Sequence, residues 1–188
     1  MACLLTKGRK LPCKSAFGGI KAAYFINFNG GTTGLGTVTY DADGQIDTAA
    51  NSASLEVYQY DVKGASSLET SITSSRDTGT TFYTQTLSLT FTYLDKATQQ
   101  EIQLLARSRP QVAVEDYYGN IFLVGLENGA ECTGGTIATG TAAGDLSGFT
   151  LTMEGIEETA APWILSTIIT SATQATQIAN GLILVLVN

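Results

Sequence analysis

The sequence predicts a mainly β domain with one flanking α-helix. Three observations lead there. The stretch from Thr81 to Tyr93 alternates, with Leu87, Leu89, Phe91 and Tyr93 on one face and Thr84, Thr86, Ser88, Thr90 and Thr92 on the other, the period of a long half-buried strand. Charged residues are only 14% of the 188, while Gly, Ser, Thr, Val, Ile, Tyr and Phe are plentiful, a composition that favours short strands joined by tight turns. A helical pattern with clear end signals occurs once, between Asp95 and Arg107.

Taken in chain order, residues 1–19 form a basic arm and residues 20–188 a single β domain, a length sufficient to bury a core. Ile20 to Phe28 is the first strand, with Tyr24, Ile26 and Phe28 sharing a face. A glycine-rich loop at Gly30 to Gly36 leads to Val38 and Tyr40, and Asp43-Gly44 supplies the positive φ of a hairpin turn. Ser54 to Asp61 places Leu55 and Val57 opposite Glu56, Tyr58 and Tyr60; Leu68 to Ser74 is a weaker strand. Ser74 to Thr80, with Arg76 and Asp77, is expected to be an exposed loop.

Asp95 is placed to cap the helix, Ile102, Leu105 and Ala106 make a narrow apolar stripe, Arg107 and Arg109 lie near the negative end of the dipole, and Pro110 stops it. Strands are expected at Val112 to Glu115, Ile121 to Leu126 and Phe149 to Glu154, with turns at Gly119-Asn120 and Asn128-Gly129. Thr133 to Ala143 is rich in Gly and Thr. Beyond Ala160 the pattern is irregular until Leu182 to Val187 (LILVLV), six apolar residues where a membrane-spanning helix needs roughly 20. That run is expected to be buried or to pair with a partner around Leu184, since nothing charged guards its edge.

Charge is distributed unevenly. The net charge is −7, yet residues 1–21 hold Lys7, Arg9, Lys10, Lys14 and Lys21 with no acid, leaving 5 basic against 17 acidic residues in the remainder. A body at −12 is ill suited to gripping nucleic-acid phosphates. The basic arm suits the acidic body of a neighbouring copy. Met1 to Leu5 is too short for the apolar region of a secretory signal.

The sequence offers little to catalysis. There is no histidine, so neither a Ser-His-Asp set nor a His base for Cys132 exists. Cys3, Cys13 and Cys132 lack metal-ligand spacing and read as reduced thiols, with a Cys3–Cys13 bridge the alternative in an oxidising setting. GGTTGLG lacks the Lys-Ser/Thr ending of a phosphate loop. Asp41, Asp43 and Asp47 surround a turn but lack the glycine and bidentate acid of a calcium loop. Glu115-Asp116 and Glu154, Glu157 and Glu158 are acidic pairs whose neighbours point to opposite faces of a strand. Neither catalysis, nor a cofactor, nor a metal is expected. A sugar-binding sandwich is an alternative, with Tyr58, Tyr60, Tyr117, Tyr118 and Trp163 as stacking platforms.

The long alternating strand, the helix ending at Pro110, the strand QVAVED, then YYGNIFLVGLENG and GTAAGDLSGFTLTMEGIEETAAPW together resemble the tail-tube family of bacteriophages. The opening CLLTKGRKLPCKSAFGGIKAAYFINF is similar to ring or tube proteins of crAss-like phages of gut bacteria. The resemblance implies a tail-tube-like β-sandwich or barrel with one flanking helix, and a non-enzymatic virion protein. Copies, six or twelve, would join edge to edge into a ring of a tail, tail tube or head-tail connector, alongside other tail, neck or portal proteins. Genomic DNA would pass through without sequence-specific binding, and no membrane is involved. In that frame Thr84, Thr86, Ser88, Thr90 and Thr92 line the lumen, and Lys7, Arg9, Lys10, Arg76, Asp77 and Leu184 lie at subunit contacts. A capsid decoration protein is a further alternative.

Overall fold

The structure is a computed structural model that describes residue 9, residues 17–28, 34–50, 55–62 and 65–169, and the backbone of 170, 173–174, 177–179 and 182–184. Its strands are β1 (Ile20–Ile26), β2 (Val38–Tyr40), β3 (Ile46–Ala49), β4 (Glu56–Asp61), β5 (Ser67–Ser75), β6 (Thr80–Thr92), β7 (Gln111–Asp116), β8 (Ile121–Val124), β9 (Glu131–Ala138), β10 (Gly148–Glu157), β11 (Trp163–Ile164), β12 (Thr173–Gln174), β13 (Gln177–Ala179) and β14 (Leu182–Leu184). Helix α1 spans Lys96–Leu105, and a single turn, α2, spans Ser166–Thr170. The protein is mainly β, as its composition predicts.

Two open sheets carry the fold. The larger runs β4-β1-β7-β8-β11-β3-β2, with the two-residue β12 alongside β4; the smaller runs β5-β6-β10-β9. Neither closes on itself among the described residues, so the architecture is a sandwich and not a barrel. Every pairing in the smaller sheet is antiparallel.

Between the sheets, Phe25 of β1 and Val112 and Val114 of β7 meet Leu87, Leu89 and Phe91 of β6 and Phe149, Leu151 and Met153 of β10. Ile102 of α1 closes one end of this layer. A second cluster covers the other face of the large sheet, where Ile26, Val57, Ala113 and Leu123 pack against Ile46, Ile164 and Ile168. The strands β1, β7 and β8 are therefore buried on both faces, which is why VAV and IFLV read as apolar runs instead of alternations.

Turn chemistry follows the residues. The Asp41 carboxylate accepts the backbone N–H groups of Asp43 and Gln45, both at 2.9 Å. Asp116 does the same for Tyr118 and Asn120 at 2.8 Å. These aspartates are turn-forming side chains of the kind that stabilise hairpins. Asp95 caps α1 through the N–H of Thr98 at 3.2 Å.

Several boundaries differ from expectation. The loop expected at Ser74 to Thr80 contracts to the four-residue turn Arg76 to Gly79, because β5 and β6 pair as far as Ser75 and Thr80. Tyr93 leaves the apolar face of the long strand: its φ is +77°, which swings the ring outward to 65% exposure. Ala106 is exposed outside the helix stripe. Arg107 and Arg109 also fall beyond the last turn of α1, and Arg109 instead pairs with Glu131 at 2.5 Å. The Gly- and Thr-rich segment forms most of β9.

Candidate interaction surface: the outer face and edges of the small sheet

Because side chains alternate along a strand, burying Gln85, Leu87, Leu89 and Phe91 of β6 turns Thr84, Thr86, Ser88, Thr90 and Thr92 to the opposite face. Four of these are half-buried by their neighbours, and Thr92 is exposed. Register then assembles a hydroxyl surface around them. Ser88 lies between Ser67 and Thr152, and Thr90 lies beside Thr150, which in turn faces Thr136. The hydroxyls of Thr136 and Thr150 are 2.7 Å apart.

One row across this face is acidic. Glu69, Thr86, Glu154 and Glu131 are successive cross-strand partners, so three carboxylates share a line on a surface whose four strands contain no Lys or Arg. Glu131 directly opposes Glu154, a repulsive pairing, and the Arg109 guanidinium on Glu131 offsets it. Toward the hairpin tip the face turns apolar at Phe82 and Ile156, which are 36% and 53% exposed.

The edges of this sheet are also open. Among the described residues β5 and β9 each pair with one strand only, leaving two rows of backbone N–H and C=O groups without a strand partner. Arg76 and Asp77 sit exposed at the β5–β6 turn. Arg9 is exposed, while Lys7 and Lys10 lie outside the described residues. At the base of the arm, Phe17 packs edge-on against Tyr117, ring centroids 5.1 Å apart. Leu184 is in β14, where it pairs with Gln177.

The acidic pairs singled out in the sequence do not converge. Glu115 accepts from Tyr24 Oη at 2.7 Å and from Lys21 Nζ at 2.5 Å, whereas Asp116 caps its turn. The hydrogen bond to Glu115 raises the Lys21 ammonium above its ordinary pKa. Glu157 is buried and Glu158 exposed on adjacent positions. The Glu157 carboxylate accepts the N–H groups of Glu127 and Asn128 at 3.1 and 3.0 Å. Burial pushes its pKa up against the lowering effect of those bonds.

Glu157 belongs to a clamp that sequence reasoning missed. Gln85 accepts the N–H of Gly125 at 3.0 Å, and Gln111 donates to the carbonyl of Leu126 at 2.7 Å while accepting from Leu35 N–H at 3.0 Å. All three side chains are buried and hold the 125–128 turn between β8 and β9. Gly125 has φ +69°, and a Cβ there would lie 2.4 Å from the Gly129 carbonyl carbon, so the turn requires glycine.

The aromatic candidates divide. Tyr60 packs in the core against Phe25 and Phe91 at 5.1 and 5.5 Å, and burial, with Glu101 nearby, pushes its hydroxyl pKa up to about 12. Tyr58 is half-buried against the same core. Tyr117, Tyr118 and Trp163 are exposed, and Trp163 packs on Phe122 at 4.9 Å. Cys132 is a partly buried free thiol; Cys3 and Cys13 lie outside the described residues. Among the described residues, no three metal-binding side chains gather, and no helix is long and apolar enough to cross a membrane.

A groove of about 350 Å³ opens between β5 and the large sheet, bounded by Ile20, Leu68, Thr70, Val114 and Phe122. Set against known proteins, the chain matches no family model, no curated protein and no solved structure.

Proposed function

We propose that this protein is a non-enzymatic virion component whose copies join through β5 and β9 into a ring of a phage tail, tail tube or head-tail connector. The observation that carries this reading is the small sheet: wetted by Ser, Thr and Glu on one face, sealed to a core along β6 and β10 on the other, and unpaired at both edges among the described residues. Its four strands alternate in direction, so β9 of one copy meets β5 of the next antiparallel. Such contacts are heterologous and close by rotation, and closure removes the exposed edges.

The proposed bore has a defined scale. Six copies supply 24 strands from this four-stranded sheet, which at about 4.8 Å spacing and ordinary tilt enclose a bore about 45 Å between opposite backbones. Twelve copies double that width. Six therefore fit one duplex more closely after side chains are added. Thr84, Thr86, Ser88, Thr90 and Thr92 face the bore, and the row Glu69, Glu154, Glu131 repels phosphate, so DNA passes without being held.

Arg76, Asp77 and the arm bearing Lys7, Arg9 and Lys10 are assigned to contacts with adjacent subunits or rings, as is Leu184. Exposed Tyr117, Tyr118 and Trp163 favour glycan binding as the second reading. Negative-stain electron microscopy with mass measurement in solution tests the choice. Closed rings with a duplex-sized pore are expected; a strict monomer that binds glycans through those aromatics overturns the ring.

A further inference from the structure

One apolar side chain on the small sheet points toward the core layer yet finds no core. Ile137 of β9 is the cross-strand partner of buried Phe149, so it lies on the inner face, but it is 54% exposed and belongs to neither core cluster. At the opposite edge the situation is reversed. There the inner face of β5 borders the groove lined by Ile20, Leu68, Val114 and Phe122. One edge carries a knob, and the other carries a hole.

We infer that Ile137 of one copy fills the groove beside β5 of the next, standing opposite Leu68 across the subunit boundary. This rests on the ring reading, and it adds the register and the contact that fixes it. The occupant is a second copy of this chain because knob and groove lie on the same face of one sheet, at edges whose strand directions match.

Barrel geometry selects the register. Within one copy Leu68 shares a row with Leu87, and Ile137 shares a row with Phe149 and Phe91. Those rows are four residues apart along β6. Closing a barrel at a tilt of about 36° slips register by about one residue per strand, hence about four for the four strands of each copy. Twisted strands coil around a barrel in the right-handed sense. With the Ser and Thr face inward, that sense carries the row of Ile137 toward the hairpin tip of the next β5, onto Leu68.

Charge and burial agree with the slipped register. Without slip, Glu131 of one copy would stand opposite Glu69 of the next, since both share the row of Thr86; like charges so placed are destabilising. A slip of about four residues sets Thr136 against Glu69 and Glu131 against Thr73. The same slip brings Cys132 over Ile72, which is 65% exposed in the single chain.

Directed cross-linking tests this. In a chain whose native cysteines are replaced by Ser, the pair L68C and I137C should oxidise into a ladder of covalently joined copies, because opposed antiparallel residues lie within disulfide reach. The pair I72C and I137C should not. I137D should fold with an unchanged far-ultraviolet spectrum and melting profile, the residue being exposed in the monomer, and should lose rings in micrographs. Rings that persist in I137D, or that cross-link only through I72C, overturn the inferred contact and leave the ring standing. Absence of rings from the unmodified protein overturns both.

Discussion

The two sheets of this sandwich are built from similar strands and used in opposite ways. In the large sheet, β1, β7 and β8 are covered on both faces, and their side chains are spent on two apolar clusters. In the small sheet only one face is covered; the other presents Thr84, Thr86, Ser88, Thr90 and Glu154 to solvent. A strand covered on both faces tolerates little change, because any altered volume is felt by close-packed neighbours. A strand covered on one face is free to vary on the other. The difference marks the large sheet as the scaffold and the small sheet as the surface available for function.

The largest effect should come from breaking the scaffold. Phe25 is 2% exposed and packs beneath Tyr60 between the sheets. Phe25→Ala should cost about 3–5 kcal/mol through lost transfer energy and the cavity left behind. Urea denaturation should show a lower midpoint with an unchanged slope. A cost under about 1 kcal/mol would mean that the layer between the sheets is not the close-packed core described.

How much of this was legible in the sequence depends on periodicity. The alternation of β6 announced both its buried face and its Ser and Thr face, and the Asp and Gly residues announced the turns at 41–45 and 116–120. The two-sided burial of β7 was harder to see, since an apolar run does not say what covers each face. β9 escaped because Gly134 and Gly135 mask its alternation, and an irregularity at Thr133 shifts its register against β10. Gln85, polar and one step before the series Leu87, Leu89 and Phe91, carried no such signal, because the turn at Gly125 that it holds lies 40 residues away. Tyr93 departed from its face through a backbone angle that residue type does not encode.

The clamp on that turn joins the two sheets and yields the second prediction. Glu157 is buried on β10, and its raised pKa means that folding favours the protonated carboxyl. The sign follows: this group's contribution to stability is full below the ordinary carboxylate pKa and is lost as pH rises through the raised folded-state value. Nearby Glu127 acts in the same direction. Glu157→Gln retains an oxygen for the two N–H groups and removes the titration. The melting temperature of the wild type, measured relative to that of Glu157→Gln, should therefore fall as pH is raised from about 4 to 7. A difference independent of pH would show that Glu157 has no raised pKa.

The smallest effect on stability should come from the wet face. Thr86 lies between Glu69 and Glu154 with its side chain away from the core. Thr86→Lys removes no buried contact and sets a cation between two carboxylates, so folding stability should change by no more than about 0.5 kcal/mol. In the proposed rings the same change has a different consequence. Each copy would add a positive charge to a bore otherwise lined by hydroxyls and acids, and phosphates are attracted to clustered cations. Rings of Thr86→Lys should retain duplex DNA at low salt and release it as salt rises, while wild-type rings retain none. Equal retention by both would mean that this face does not line the channel, even if thermal unfolding confirms that it plays no part in the core.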